Sequence, residues 1–142
     1  MSAEVTGRAR LGRTTKELVK QLGPADVAIL DHADLDRVSV EELVERGVRA
    51  VVNVAPSTTG RFPNPGPLEL VRAGVPLVDV PGAPLFETVA DGETIRIVGG
   101  QVWRNGHLLA EGVAHEEADL AAALAAQRER VAGALEAFAD NT

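Results

Sequence analysis

The polar residues that could meet a ligand cluster after two short apolar runs. Asp31 and His32 follow the apolar core of the run DVAILD, and Asn53 comes near the end of VRAVVNV. Small hydroxyls and glycine let backbone N–H groups approach an anion, and arginine offers a planar guanidinium fork. The sequence therefore predicts a candidate ligand site, which combines these three residues with six from the loop after the second run: Ser57, Thr58, Thr59, Gly60, Arg61 and Asn64.

The loop also fits a plain connection. It matches neither a Walker loop nor a dinucleotide fingerprint, and Ser and Thr are ordinary turn residues. Pro65 and Pro67 remove two of the N–H groups that the next helix would offer to an anion. Both interpretations, a plain loop and a ligand or partner site, stay open.

No residue is assigned a catalytic role. Asp31 and His32 could form an acid–base pair, but adjacent residues of a strand point to opposite faces. The three histidines lack metal-ligand spacing, so no metal site is predicted. His107 and His115 are expected at the surface or in caps, and Trp103 at a half-buried strand position.

The first half of the chain alternates between helices and apolar strands. This rhythm predicts an α/β domain of parallel strands with crossover helices. The expected strands are residues 26–31, 48–54 and 75–80. Capping patterns predict helices that begin near Thr14, Ser39 and Asn64 and stop at Gly23, Gly47 and Gly74.

The second half predicts a small antiparallel meander and a long helix. Residues 93–98 alternate in polarity, and Gly99-Gly100 and Asn105-Gly106 are typical of hairpin turns. We expect this meander to form a small sheet against the parallel layer. The helix, expected at residues 115–139, carries one apolar stripe: Leu120, Leu124, Val131, Leu135 and Phe138.

The stripe leaves two alternatives open. The helix packs on its own domain, or it joins domains or pairs with a second copy of the chain. A helix that runs to the last residues also predicts a chain that continues into a second domain. The expected organisation is a basic segment at 1–13, an α/β domain at 14–114 and a helical segment at 115–142.

Composition narrows the function classes. The 142 residues are 45% hydrophobic, contain no cysteine and carry a formal charge of −7. An acidic body argues against general nucleic-acid binding. The basic N-terminal segment is expected to be a solvated tail, or else a contact to an acidic partner or phosphate. No apolar run is long enough to span a membrane, so we expect a cytoplasmic domain without membrane contact.

Residues 24–112 resemble the swivelling β/β/α domain of phosphoenolpyruvate-utilising enzymes. The match lies in the order of Gly74-Val75-Pro76, Asp91-Gly92 and Gly99-Gly100 within the run LELVRAGVPLVDVPGAPLFETVADGETIRIVGGQVWRNGHLLAEG. The resemblance implies a swivelling-type α/β fold. The position of that family's phosphorylated histidine falls on Pro65, so phosphohistidine transfer is not expected here.

A second resemblance covers almost the whole chain. The strings TGRARLGRTTKELVKQL, DVAILDHADLDRVSVEELVERGVRAVVNVAPSTTGRFPNPGP, AGVPLVDVPG and LEAFADNT are similar to the N-terminal portion of the actinobacterial SteA-like cytokinetic ring proteins. The resemblance implies a role in cell division through protein partners. It also implies a following portion related to thiamin pyrophosphokinase and a membrane tether further on.

These expectations converge on a non-catalytic regulatory or interaction domain of a cell-division protein. It needs no cofactor in this part of the chain, although a nucleotide is possible in the full-length protein. The alternative is a phosphate- or nucleotide-binding domain that works with a thiamin pyrophosphokinase-like catalytic domain. Protein partners in division are expected, with a possible homodimer through the helical stripe.

Overall fold

The computed structural model describes residues 4–140, which form one mixed α/β unit. Residues 1–3 of the predicted basic segment and residues 141–142 of the predicted helical segment lie outside the described residues. The strands are β1 (Glu4–Gly12), β2 (Asp26–Leu30), β3 (Ala50–Asn53), β4 (Leu77–Asp79), β5 (Thr94–Val98), β6 (Gln101–Arg104), β7 (His107–Glu111) and β8 (Val113–Ala114). The helices are α1 (Thr15–Leu18, continued by a 3₁₀ turn at Val19–Gln21), α2 (Arg37–Arg46), α3 (Gly66–Arg72), α4 (Leu85–Thr88) and α5 (Glu117–Asp140).

The parallel strands β2, β3 and β4 are the three predicted strands, and α2 and α3 are the predicted crossover helices between them. One eight-stranded sheet has the order β7-β6-β5-β1-β2-β3-β4-β8, and β1 to β4 are parallel neighbours. The helix α2 begins at Arg37, two residues before the predicted cap at Ser39, because Asp36 occupies the N-cap position. Its predicted end is confirmed, since Gly47 closes the helix at a φ of 73°.

The expectation of a solvated N-terminal tail is wrong for residues 4–12. They form β1, which pairs with β2 on one side and with β5 on the other. The physical reason is alternation: small or apolar residues occupy the odd positions, and Ala9 is fully buried, while arginines occupy even positions. Arg8 and Arg10 point towards the buried Asp26, at 3.2 and 3.6 Å.

The meander is confirmed, but its expected place in a separate layer is wrong. The strand β5 pairs antiparallel with β1, so β6 and β7 extend the same sheet. The short strand β8, which was not predicted, adds an antiparallel strand to the other edge, beside β4. Both ends of the sheet are therefore antiparallel.

The sheet curls until its two edges meet. Only Gly112 separates β7 from β8, although these strands lie at opposite ends of the strand order. In a flat sheet of eight strands the edges would be about 34 Å apart, far beyond the reach of one residue. The Gly112 N–H donates to the Gly100 carbonyl at 2.8 Å, and a Cβ on Gly112 would lie 1.9 Å from the Asp79 carbonyl oxygen.

Two apolar clusters lie on the two faces of this sheet. Alternate residues of each strand point to opposite faces, so Ala28 and Leu30 join one cluster and Val27 and Ile29 the other. The first cluster fills the space under α1, α2 and α3. The second cluster joins residues of β1 to β6 on the inner face, and Leu85 of the unpredicted helix α4 packs against it.

The helix α5 confirms the predicted long helix, and its stripe divides into two parts. Leu120 and Leu124 pack against Leu68 of α3, so they are not free for the predicted dimer contact. Residues 128–140 are all exposed, including Val131, Leu135 and Phe138 of the stripe. Among residues 4–140, no helix combines the length and apolar character needed to cross a membrane.

Candidate functional site

The polar segments after β2 and β3 meet, as their neighbouring parallel strands predict. The Leu35 N–H donates to the Ser57 carbonyl at 2.9 Å, and the Asp34 N–H donates to the Pro56 carbonyl at 3.0 Å. The Asp34 carboxylate accepts the Thr59 N–H at 2.8 Å and the Thr59 hydroxyl at 2.9 Å. Thr59 is thus held by Asp34, which belongs to the same polar segment as Asp31 and His32.

A buried row of polar side chains runs beneath this loop. The Asn53 amide accepts the His32 N–H at 3.0 Å and donates to the His32 carbonyl at 2.8 Å and to Ser57 Oγ at 2.9 Å. Ser57 donates its hydroxyl and its N–H to the two carboxylate oxygens of Asp79, at 2.6 and 2.9 Å. His115 Nε2 lies 2.9 Å from Asp79 Oδ2.

This network satisfies the polar atoms of two predicted site residues internally. Asn53 and Ser57 are fully buried, and every bond described above joins them to the protein. A hydroxyl that already donates to a carboxylate inside the core is not available to a ligand. Both side chains therefore shape the loop.

The surroundings of His115 differ from the prediction, whereas those of His107 and Trp103 agree with it. His115 is bonded to Asp79 and partly buried, so its expected surface or capping role is wrong. The reason is that the two-residue strand β8 carries it to the end of β4. His107 is exposed and Trp103 is half-buried, as predicted.

Asn64 binds the first residue of the next helix through its side chain, although it is not the N-cap residue that its position before proline predicts. Its Oδ1 accepts the Gly66 N–H at 3.1 Å, and its Nδ2 donates to the Leu35 carbonyl at 3.1 Å. The helix α3 begins at Gly66, with Pro65 at the N-cap, which is one residue later than predicted. Asn64 is buried, so it too serves the local fold.

Thr58, Gly60 and Arg61 remain at the outer side of the loop. Gly60 has a φ of 78°, in the region that favours glycine, and its Cβ position is 3.9 Å from Nε2 of Gln127 in α5. Thr58 is partly buried and lines a small cleft with Gln127. Arg61 is exposed and makes no ion pair with any residue in 4–140.

The structure separates Asp31 from His32. Asp31 accepts a hydrogen bond from Arg13 at 2.9 Å, in an open cleft of about 450 Å³ whose lining also includes Glu87 and Phe86. The Arg13 guanidinium lies 4.4 Å from the centre of the Phe86 ring. This cleft follows the carboxyl ends of the parallel strands, where ligands commonly bind in α/β folds.

His32 has different partners. Its Nδ1 lies 2.8 Å from the Thr15 hydroxyl, and its Nε2 lies 3.5 Å from Asp36 Oδ1. The strand β2 has already ended at Leu30, yet Asp31 and His32 still contact separate groups. The two side chains do not form an acid–base pair.

The described part of the chain offers no ready metal centre. Nowhere in residues 4–140 do three or more His, Cys, Asp or Glu side chains gather in a group that could hold a metal ion.

Comparisons with known proteins add two distant likenesses in fold. No protein-family model matches the chain, and no curated protein matches it. The chain is similar to a 3-isopropylmalate dehydratase from Methanocaldococcus jannaschii, with 12% identity and a TM-score of 0.45 over 92% of this chain and 98% of that one. It is also similar to RraAS2 of Streptomyces coelicolor, an unusual member of the RNase ES inhibitor RraA family. There the identity is 15% and the TM-score 0.41, over 99% of this chain and 78% of that one.

Proposed function

We propose that this chain is a non-catalytic interaction domain of a cell-division protein, equivalent to the N-terminal portion of the SteA-like cytokinetic ring proteins. The observation that carries the proposal is the exposure of the second half of α5. Its last thirteen described residues, 128–140, are exposed and include Val131, Leu135 and Phe138, which we call the distal stripe. We further propose that the curled mixed sheet is a swivelling β/β/α-type domain and that the domain is cytoplasmic.

The exposure of the distal stripe supports binding to a protein. Leu135 is 64% exposed and Phe138 is 71% exposed, on consecutive turns of one helix. Apolar side chains clustered on one face mark interaction sites more often than scattered ones do. A helix face of this kind gains free energy when another apolar face covers it.

The geometry of the predicted ligand site supports a non-catalytic role. Asn53, Ser57 and Asn64 satisfy one another and the backbone, and Thr59 is held by Asp34. Pro65, where a swivelling domain of the phosphotransfer type would carry its histidine, has no group that can accept a phosphoryl.

Replacement of the chromosomal allele in an actinobacterium that carries the protein tests this function. The double variant Leu135→Ser and Phe138→Ser should fold normally, because both side chains are exposed. We expect cells that fail to separate after septation, at an unchanged protein level. The matched control is Leu108→Ser, which alters a 46%-exposed leucine on β7. Normal separation in the double variant would contradict the proposal.

A second candidate function is phosphate or nucleotide binding together with a thiamin pyrophosphokinase-like domain. One observation favours it: Arg61 is exposed and without an ion pair in residues 4–140, beside a glycine of positive φ. Calorimetric titration of the full-length protein with ATP and with thiamin tests this alternative. If it is right, Arg61→Ala loses the ligand and Arg46→Ala, at an exposed cation of α2, retains it.

A further inference from the structure

We propose that the distal stripe of α5 binds an acidic amphipathic helix of a protein partner, rather than a second copy of this chain. This inference rests on the proposed function and adds the chemistry of the partner.

The distal stripe continues a row of side chains that is already used for packing. Leu120 and Leu124 pack on Leu68 of α3, and Val131 follows Leu124 by seven residues. Positions separated by three, four or seven residues share one face of a helix. The row therefore leaves the domain surface after Gln127 and continues with no covering element among residues 4–140.

Two cations without an ion pair among residues 4–140 lie beside the distal stripe. Eight of the fourteen Lys and Arg residues make ion pairs, and Arg49 bonds to backbone carbonyls. Five have no such partner within residues 4–140: Lys16, Arg46, Arg61, Arg128 and Arg130. The last two belong to the exposed part of α5.

These two arginines flank the stripe on opposite sides. Arg128 precedes Val131 by three residues and Leu135 by seven, so it borders the same face. Arg130 lies about 100° away from Val131 on the other side. Arg61 follows Gly60, where a built Cβ would lie 3.9 Å from Nε2 of Gln127, one turn before Val131. In a protein of net charge −7, this is an apolar face with a basic border.

The acidic residues of the same helix segment lie on its far side. Glu129 precedes Val131 by two residues, which places it about 160° from the stripe. Glu136 follows Glu129 by seven residues, and Asp140 follows Glu136 by four, so all three share that face. A second copy of α5 would bring only alanines and the same arginines to the border. Self-pairing would leave the cations unbalanced, whereas a partner helix with acidic flanks would balance them.

A groove beside the distal stripe could hold one end of such a helix. A cleft of about 230 Å³ between α3 and α5 is lined by Leu68, Leu124 and Arg128 among other residues. The charged residues of α3 in this cleft are already matched: Glu69 pairs with Arg37 at 3.3 Å, and Arg72 with Glu117 at 3.0 Å. Arg128 is therefore the cation left for the partner. The arrangement suits docking of an amphipathic helix into a groove.

The test uses two designed four-heptad peptides with leucine at both core positions of each heptad. One has glutamate at the flanking positions and the other has lysine. Fluorescence anisotropy with the full chain should show binding of the glutamate peptide at least about tenfold tighter than that of the lysine peptide, with affinity falling as salt rises. Equal affinities, or no binding of the glutamate peptide, would overturn the proposal.

Two variants locate the binding. Arg128→Glu with Arg130→Glu should weaken the glutamate peptide about tenfold, and Leu135→Ser with Phe138→Ser should weaken it further. Lys16→Glu with Arg46→Glu, at two cations of α1 and α2 without an ion pair among residues 4–140, is the charge-matched control and should bind as the parent does. Binding that ignores the α5 substitutions would place the peptide elsewhere and would refute the inference. Circular dichroism checks that the helix is retained in every variant.

Sedimentation of the chain alone tests whether a second copy of the chain, rather than a partner helix, covers the distal stripe. We expect a monomer at micromolar concentration. A dimer that dissociates when Leu135 and Phe138 are replaced by serine would make a second copy the occupant and would overturn the inference. With such a dimer, cells carrying Leu135→Ser and Phe138→Ser would still fail to separate. If instead the proposed function were wrong, those cells would separate normally even if the glutamate peptide bound the purified chain.

Discussion

At the scale of single residues, the loop after β3 depends on one buried carboxylate. Asp79 receives two hydrogen bonds from Ser57, and His115 Nε2 lies 2.9 Å from its Oδ2. A buried charge is tolerated only when donors surround it. The row Asn53, Ser57, Asp79 and His115 thus fixes the position of the loop and ties the start of α5 to the sheet.

The loss of one donor in this row should lower stability. In Ser57→Ala, Asp79 loses its shortest hydrogen bond and Asn53 loses an acceptor. We expect the free energy of unfolding to fall by about 1–3 kcal/mol. Urea denaturation measures the change, and Ser39→Ala, which alters a half-buried serine of α2, serves as the control. A change as small as that of Ser39→Ala would contradict the assigned role of Ser57.

Glu93 makes a pH-dependent contribution. The Ala90 N–H donates to its carboxylate and lowers the pKa of Glu93; partial desolvation opposes this, and the nearby Arg104 guanidinium adds to it. Because folding lowers the pKa, the ionised carboxylate stabilises the fold above about pH 4.3, the usual glutamate pKa. That stabilisation is lost as the pH falls through the lower pKa of the folded protein.

Glu93→Gln should therefore have a lower Tm than the parent at pH 7, and the gap should narrow towards pH 3. Thermal unfolding at a series of pH values measures it. Glu45→Gln, at an exposed carboxylate of α2, should show no such pattern. A gap that widens in acid would show that the sign of the Glu93 linkage is wrong.

Part of the candidate site could be predicted from local patterns. The hydrogen bond between Asn64 and the start of α3 follows from residue order, and the meeting of the two polar segments follows from parallel pairing. Asp79 and His115 were missed for a physical reason. Asp79 ends the three-residue strand β4, His115 follows the two-residue strand β8, and their contact joins positions 36 residues apart. No local spacing reports such a contact, and only the curl of the sheet brings β8 to β4.

At the scale of elements, β1 shows how charge can conceal a strand. Its arginines suggest a solvated segment, yet alternation with small residues gives it one buried face. Its pairing with β5 joins positions 94 residues apart at Glu4 and Val98. The meander itself was predictable from its turns, whereas its attachment to β1 depends on this distant pairing.

Replacing two glycines by alanine should change stability in opposite directions. A Cβ on Gly112 would collide with the Asp79 carbonyl, so Gly112→Ala should destabilise the fold by several kcal/mol or prevent folding. Gly133 lies in α5 with nothing within 4 Å of its Cβ position, so Gly133→Ala should stabilise the helix by about 0.5–1 kcal/mol. Denaturant unfolding and helical circular dichroism compare them. A tolerated Gly112→Ala would contradict the close meeting of the sheet edges.

At the scale of the whole molecule, the first half of α5 packs on the domain and its second half is exposed. The body buries its apolar residues in two clusters on either face of the sheet. The first half of α5 belongs to this body through Leu120 and Leu124. The second half presents the distal stripe with its arginine border on an otherwise acidic protein. The predicted stripe therefore packs on the domain in its first part and is exposed in its second part. Periodicity alone could not predict where the packed part ends.

The most direct measurement is a two-dimensional ¹⁵N–¹H NMR titration of the 142-residue chain, performed with the glutamate peptide and separately with ATP. We expect the peptide to shift amide signals of residues 128–140 and ATP to leave the signals of residues 57–64 unchanged. Shifts at 57–64 with ATP, together with unchanged signals along the second half of α5 with the peptide, would contradict these expectations.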